Sequence, residues 1–135
     1  MFYGLGPIGA AVARQVATRK GFTIVGAVDI DHNKVGRDLG EVIGLGKKLR
    51  VRVTNDAVGA IKVGKPDVAV LCTSSSLKKV MPQIETVLSK KVAIVSTTEE
   101  LSYPVGKNRA LAKKIDALAK KAKVAHVVYT SLVRP

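Results

Sequence analysis

The sequence predicts an α/β protein, a Rossmann-type doubly wound parallel sheet of about six strands in a three-layer α/β/α arrangement. Two observations predict it. Short aliphatic runs alternate with segments of helical period along the chain, the signature of β-α-β units with right-handed crossovers. The first of these units also carries a glycine-rich turn between strand and helix, with an acid at the end of the next strand. The 135 residues suffice for a core, and residues 1–135 are expected to form a single domain.

The elements follow in order. Met1–Tyr3 reads as a strand running into Gly4-Leu5-Gly6-Pro7-Ile8-Gly9. Ile8, Val12 and Val16 then share a helical face that ends at Gly21, and Pro7 suits the first turn because its missing N–H would find no partner there. Phe22–Val28 is apolar enough for a strand covered on both faces. Asp31-His32-Asn33 is turn chemistry, and Arg37–Ile43 reads as a short helix stopped by Gly44-Leu45-Gly46. Leu49, Val51 and Val53 alternate with Arg50 and Arg52, as in a half-exposed edge strand. Asn55 or Asp56 caps a helix to about Val63, and Asp67–Cys72 is a buried strand. Ser76 can cap a helix with the stripe Leu77, Val80, Ile84 and Val87, and Pro82 inside it should kink it or delay its start. Val92–Val95 is a strand, a long helix presents Leu111, Ile115, Leu118 and Ala122, and Val124–Tyr129 is the last strand.

The core must be aliphatic, since the chain has no Trp and few other aromatics. No apolar run approaches the roughly 18–20 residues that cross a bilayer, and no membrane partner is expected. Cys72 is the only cysteine, so no intrachain disulfide can form, which fits a cytoplasmic protein. The net charge of +13 lies largely on presumed helix surfaces, in pairs such as Lys113-Lys114 and Lys120-Lys121, and reads first as a solvated surface.

Gly4-Leu5-Gly6-Pro7-Ile8-Gly9 matches G-x-G-x-x-G in its proper setting. Gly4 permits the tight turn, Gly6 lets a pyrophosphate approach the backbone, and Gly9 lets helix and strand pack closely. The N–H groups at the helix start, with Pro7 and Ile8 in its first turn, then favour an anion. Asp29 stands twenty residues beyond Gly9, with Ile30 next to it. A carboxylate there accepts hydrogen bonds from the ribose hydroxyls and repels a 2′-phosphate, which argues for NAD as the preferred cofactor. His32, Lys34 and Arg37 follow closely and soften that preference, so NADP is also admitted. Thr73, Ser74 and Ser75 follow the fourth strand, and Ser96, Thr97 and Thr98 the fifth, at the ends of strands where ligands bind open parallel sheets. Local capping explains such hydroxyl residues equally well.

The glycine motif, Val28-Asp29, Gly36-Arg37-Asp38-Leu39-Gly40-Glu41 and Ser96-Thr97-Thr98-Glu99-Glu100 together resemble the N-terminal domain of the dihydrodipicolinate reductase superfamily. Within it, the chain is most similar to the 2,4-diaminopentanoate dehydrogenase and amine dehydrogenase group, over roughly residues 2 to 123. The resemblance implies NAD(P)-dependent interconversion of an amine and an imine or ketone. It also implies a C-terminal domain that supplies much of the substrate site and the oligomer contacts. The short first strand and the segment Ala125–Thr130 depart from the pattern. The expectation is a truncated, re-engineered or designed module whose substrate domain is absent.

No metal site is expected, because neither His32 nor His126 has Cys, Asp or Glu at ligand spacing. No catalytic residue is assigned. Cys72 is read as packing near the cofactor, and Asp38 and Glu41 as surface or capping residues. Three readings compete: a dinucleotide-binding module with no turnover of its own, a structural scaffold with weakened cofactor binding, and a basic domain that binds nucleic acid non-specifically. The third has no aromatic stacking series or binding motif behind it, and no sequence-specific nucleic acid is expected. A homodimer built through Val124–Val133 is expected from the apolar character of that segment.

Overall fold

A computed structural model describes residues 1–101, 106, 108–124 and 127–129. The chain divides at Pro66 into two compact units, Met1–Pro66 and Asp67–Pro135. Each carries a β-α-β-α-β run, one half of the doubly wound plan.

In the first unit β1 (Phe2–Tyr3), α1 (Pro7–Ala17), β2 (Ala27–Val28), α2 (Leu39–Val42), β3 (Val53–Thr54) and α3 (Ala57–Gly64) follow one another. The strands are parallel, with β2 between its neighbours: Phe2 lies opposite Ala27, and Ala27 opposite Val53. Phe2, Leu5, Ala13, Ala27, Val28, Leu39, Ile43, Val53 and Ile61 are buried. Each large aliphatic side chain removed from water there contributes about 1.5–3 kcal/mol.

In the second unit β4 (Val68–Leu71), α4 (Leu77–Ser89), β5 (Ala93–Ser96), a 3₁₀ turn (Glu99–Leu101), α5 (Asn108–Ala122) and β6 (Val127–Tyr129) follow. Here β5 pairs in parallel with both β4 and β6. The predicted stripe of α4 is fully buried at Leu77, Val80, Ile84 and Val87, and Ile94 and Ile115 pack in the same core. Lys114 on α5 reaches Glu85 on α4 at 2.9 Å.

The structure corrects the reading at several points. The segment before β2 is not a strand, and Phe22 is 64% exposed: β1 offers only Phe2 and Tyr3 as partners, so pairing stops at Ala27. Helix α1 ends at the Thr18 cap, before Gly21. Helix α4 runs without interruption through Pro82. That residue is exposed, and the Thr86 hydroxyl donates to its carbonyl at 3.0 Å, closing the turn after it. Ser76 occupies the cap position of α4 without a side-chain bond; the Glu100 carboxylate accepts the Leu77 N–H instead, at 3.2 Å. Asp56, not Asn55, caps α3. His126 and most of the segment Val124–Val133 lie outside the described residues.

Candidate functional site

The turn between β1 and α1 is shaped residue by residue. Gly4 has φ of 101°, a left-handed conformation that side chains resist. Gly6 is the N-cap of α1, and a Cβ built there would meet nothing within 4 Å. No side chain caps the helix, which leaves the N–H groups of its first turn directed at that open space, and Pro7 stands at its start as predicted. Gly9 is buried, while Ile8 is 46% exposed.

Asp29 is bound to this turn. Its Oδ2 accepts the Leu5 N–H at 2.7 Å and its Oδ1 accepts the Asp31 N–H at 2.9 Å. Lys34 completes the arrangement from the other side, its ammonium donating to the Leu5 carbonyl at 2.7 Å. The Leu5 residue is thus held at both its N–H and its C=O by groups from the segment after β2. Sequence reasoning placed Asp29 and missed the Lys34 bond, because only the fold brings that ammonium to Leu5. Ile30 is 82% exposed, beside Asp29 in sequence.

The residues of the second unit divide into two sets. Ser96 and Thr98 are fully buried. The Ser96 hydroxyl reaches the Leu71 carbonyl and the Thr98 Oγ1, both at 2.9 Å, and accepts the Thr98 N–H at 3.0 Å. Thr98 Oγ1 in turn donates to the Ser74 carbonyl at 2.8 Å. The Ser96 hydroxyl therefore ties the end of β5 to the end of β4, and the Thr98 hydroxyl fastens the loop after β5 to the loop after β4. Ser74 Oγ accepts the Ser76 N–H at 3.1 Å, and the Thr73 hydroxyl bonds Gln83. Ser75 and Thr73 are exposed and Thr97 is half-buried. Burial pushes the Cys72 thiol up from its ordinary pKa, and a hydrogen bond with Thr97 offsets part of that.

Asp38 of the Gly36–Glu41 motif is a clamp. It caps α2 through Gly40 N–H at 2.8 Å and accepts the N–H groups of Leu49 at 2.8 Å and Val51 at 3.1 Å. Desolvation alone would raise its pKa; these bonds and one from the Arg50 backbone outweigh it and hold the carboxyl below the usual range. Gly40 is required beside it, because a Cβ would sit 1.9 Å from the Lys47 carbonyl oxygen. The motif is thus explained by the closure of the 38–51 loop. Among the described residues no three His, Cys, Asp or Glu side chains gather as a metal site, and no helix is long and apolar enough to cross a membrane.

Strand, glycine turn, uncapped helix start and acid define a dinucleotide-binding α/β domain. The chain belongs to the family of dihydrodipicolinate reductase N-terminal domains, whose model matches residues 1–130, and is an NAD(P)-binding domain of the dehydrogenase kind. It is 33% identical over 118 residues to 2,4-diaminopentanoate dehydrogenase of Acetoanaerobium sticklandii, a match covering 87% of this chain and 33% of that protein. Among solved structures, amine dehydrogenase from Mycobacterium smegmatis superposes with a TM-score of 0.84 at 36% identity, over 90% of this chain and 36% of the other. A putative oxidoreductase from Klebsiella pneumoniae shares the fold, with a TM-score of 0.64 at 18% identity over 97% of this chain and 33% of that one. The chain spans about a third of the length of these relatives.

Proposed function

We propose that this chain is the cofactor domain of an oxidoreductase acting on amines or imines, and that it holds NAD(H) in preference to NADP(H). The observation that carries this reading is the Asp29 carboxylate bound to the Leu5 N–H of the glycine turn at 2.7 Å. It fixes an acid beside the phosphate loop, where ribose hydroxyls donate to it and a 2′-phosphate is repelled. The two backbone bonds leave lone pairs on both oxygens for those hydroxyls.

The open space over Gly6 and the first-turn N–H groups of Ile8 and Gly9 fit a pyrophosphate. Ile8 and Ile30 offer exposed apolar surface to the adenosine end. In the second unit Thr73, Ser75 and Thr97 keep accessible side chains and remain candidates for ligand contact, with Ser74 contributing through its loop. Ser96 and Thr98 act by holding that loop. When bound, the nicotinamide supplies hydride transfer. The residues of this chain bind and orient it.

Orienting a substrate and excluding water over the ring takes groups beyond these, so we place the substrate site outside the dinucleotide-binding residues named above. A cytoplasmic location and a homodimer belong to the same reading, as does nucleic-acid binding that is weak, non-specific and lost with salt. Fluorescence titration with NADH and NADPH is the test. Saturable NADH binding, tighter than NADPH, is expected. Equal affinities would remove the role given to Asp29, and no binding of either would leave the scaffold reading.

A further inference from the structure

One basic stretch has no part in the dinucleotide site. Lys48, Arg50 and Arg52 alternate along the chain with Leu49, Val51 and Val53, of which Val53 is buried and the other two half-buried. The three cations are exposed. With Gly36, Arg37, Asp38 and Glu41 they line a cavity of about 450 Å³ in the first unit. Every lining residue except Asp38 is exposed, so the space is an open groove on the surface. Segment 36–39 forms one wall of it, running antiparallel to 51–53 through the Leu39 N–H to Val51 carbonyl bond at 2.7 Å and the Val53 N–H to Arg37 carbonyl bond at 2.9 Å.

The lining is unbalanced in charge. Four cations face two carboxylates. Asp38 is taken up by backbone N–H groups. Glu41 stands 3.8 Å from Arg37. No ion pair among the described residues includes Lys48, Arg50 or Arg52. Cations gathered around one cavity repel each other, and a multivalent anion removes that repulsion. The lining is glycine and charged side chains, so charge and N–H donors dominate what it offers a ligand.

The backbone adds an independent observation. Arg50 has φ of 60°. Lys65, Lys91 and Lys123 share that conformation, but each ends a helix, where it is common. Arg50 is in a loop. Asp38 holds it there, through the N–H groups of residues 49 to 51. That backbone conformation fixes where the Arg50 side chain leaves the loop, among the residues that line the cavity.

We propose that this cavity binds a compact multivalent phosphate of the pyrophosphate class, gripped by Lys48, Arg50 and Arg52 with Arg37 at the rim. The ligand is a free phosphate compound, distinct from the dinucleotide held at the glycine turn. Sodium pyrophosphate is titrated calorimetrically into the full chain at constant ionic strength, with and without saturating NAD. The backbone amides of Leu49 to Val53 are followed by NMR.

Binding that persists with NAD present and shifts those amides is expected. The Arg50→Gly variant should melt at the same temperature as the parent or higher, since glycine suits φ of 60°. It should bind pyrophosphate at least about tenfold more weakly, as should Arg52→Gln, the size of one lost charge-assisted bond. Competition by NADP but not by NAD would make the groove part of the cofactor site and would overturn the proposal. Displacement by NAD, or undiminished binding by a folded Arg50→Gly variant, would overturn the proposal.

Discussion

The Asp29 carboxylate accepts the N–H of Leu5 at 2.7 Å, so the acid at the end of β2 is built into the turn that begins α1. Specificity and loop shape therefore rest on the same group. Replacing Asp29 disturbs both, and a cleaner probe of the phosphate loop is needed.

Gly6 is that probe. Its φ of −69° is open to any residue and a Cβ there meets nothing within 4 Å. Gly6→Val should therefore fold like the parent while filling the space assigned to the pyrophosphate. NADH affinity should fall at least about tenfold, from overpacking at the ligand. Circular dichroism checks the fold and fluorescence titration the binding. A folded variant with parental affinity would place the phosphates elsewhere.

Gly40 tests the loop closure. Its Cβ would lie 1.9 Å from a backbone oxygen, so Gly40→Ala should cost about 2–3 kcal/mol through forced backbone movement. Gly44 has φ of 70° with open space around it, and Gly44→Ala should cost only about 1 kcal/mol. Urea denaturation of both variants measures the difference. Equal losses would show that the Lys47 carbonyl yields without resistance.

Asp38 ties stability to pH. Its pKa in the folded protein lies below the unfolded value, so the clamp stabilises fully above the ordinary carboxylate pKa of about 3.9 and is lost as pH falls through the depressed value. Asp38→Asn should be less stable than the parent at pH 7, and the two should converge in acid. Parallel stability curves down to the lowest pH would remove the clamp from the account.

Cys72 should be a slow nucleophile. Burial raises its pKa, the Thr97 bond only partly offsetting that, so less thiolate is present at neutral pH than in free cysteine. Alkylation by iodoacetamide should lag behind that of free cysteine in the same buffer and gain on it at higher pH. A rate above that of free cysteine would point to an activated thiol.

Much of the architecture was legible because it rests on local pattern. The alternation of aliphatic runs with helical stripes located six strands, and the spacing from Gly9 to Asp29 located the acid. What escaped depends on partners distant in sequence. Phe22–Val25 has strand composition, yet pairing with β1 reaches back no further than the Gly26 carbonyl, which accepts the Phe2 N–H. Pro82 breaks a local rule, yet α4 continues because its buried stripe outweighs one missing hydrogen bond. Asp38 looked like a simple cap; its bonds to Leu49 and Val51 need the loop to return. Ser96 and Thr98 were open to ligand contact or local capping alike from their place after a strand, and their hydroxyls bond Leu71 and Ser74 across the fold.

That pairing has a consequence for how a ligand is received. Ser74 and Thr98 surrender conformational entropy when the chain folds, since Thr98 bonds Ser74 and Ser96 bonds Leu71 at the neighbouring strand ends. For a dinucleotide docking as proposed beside Ser75 and Thr97, less affinity would be spent on ordering the residues next to them.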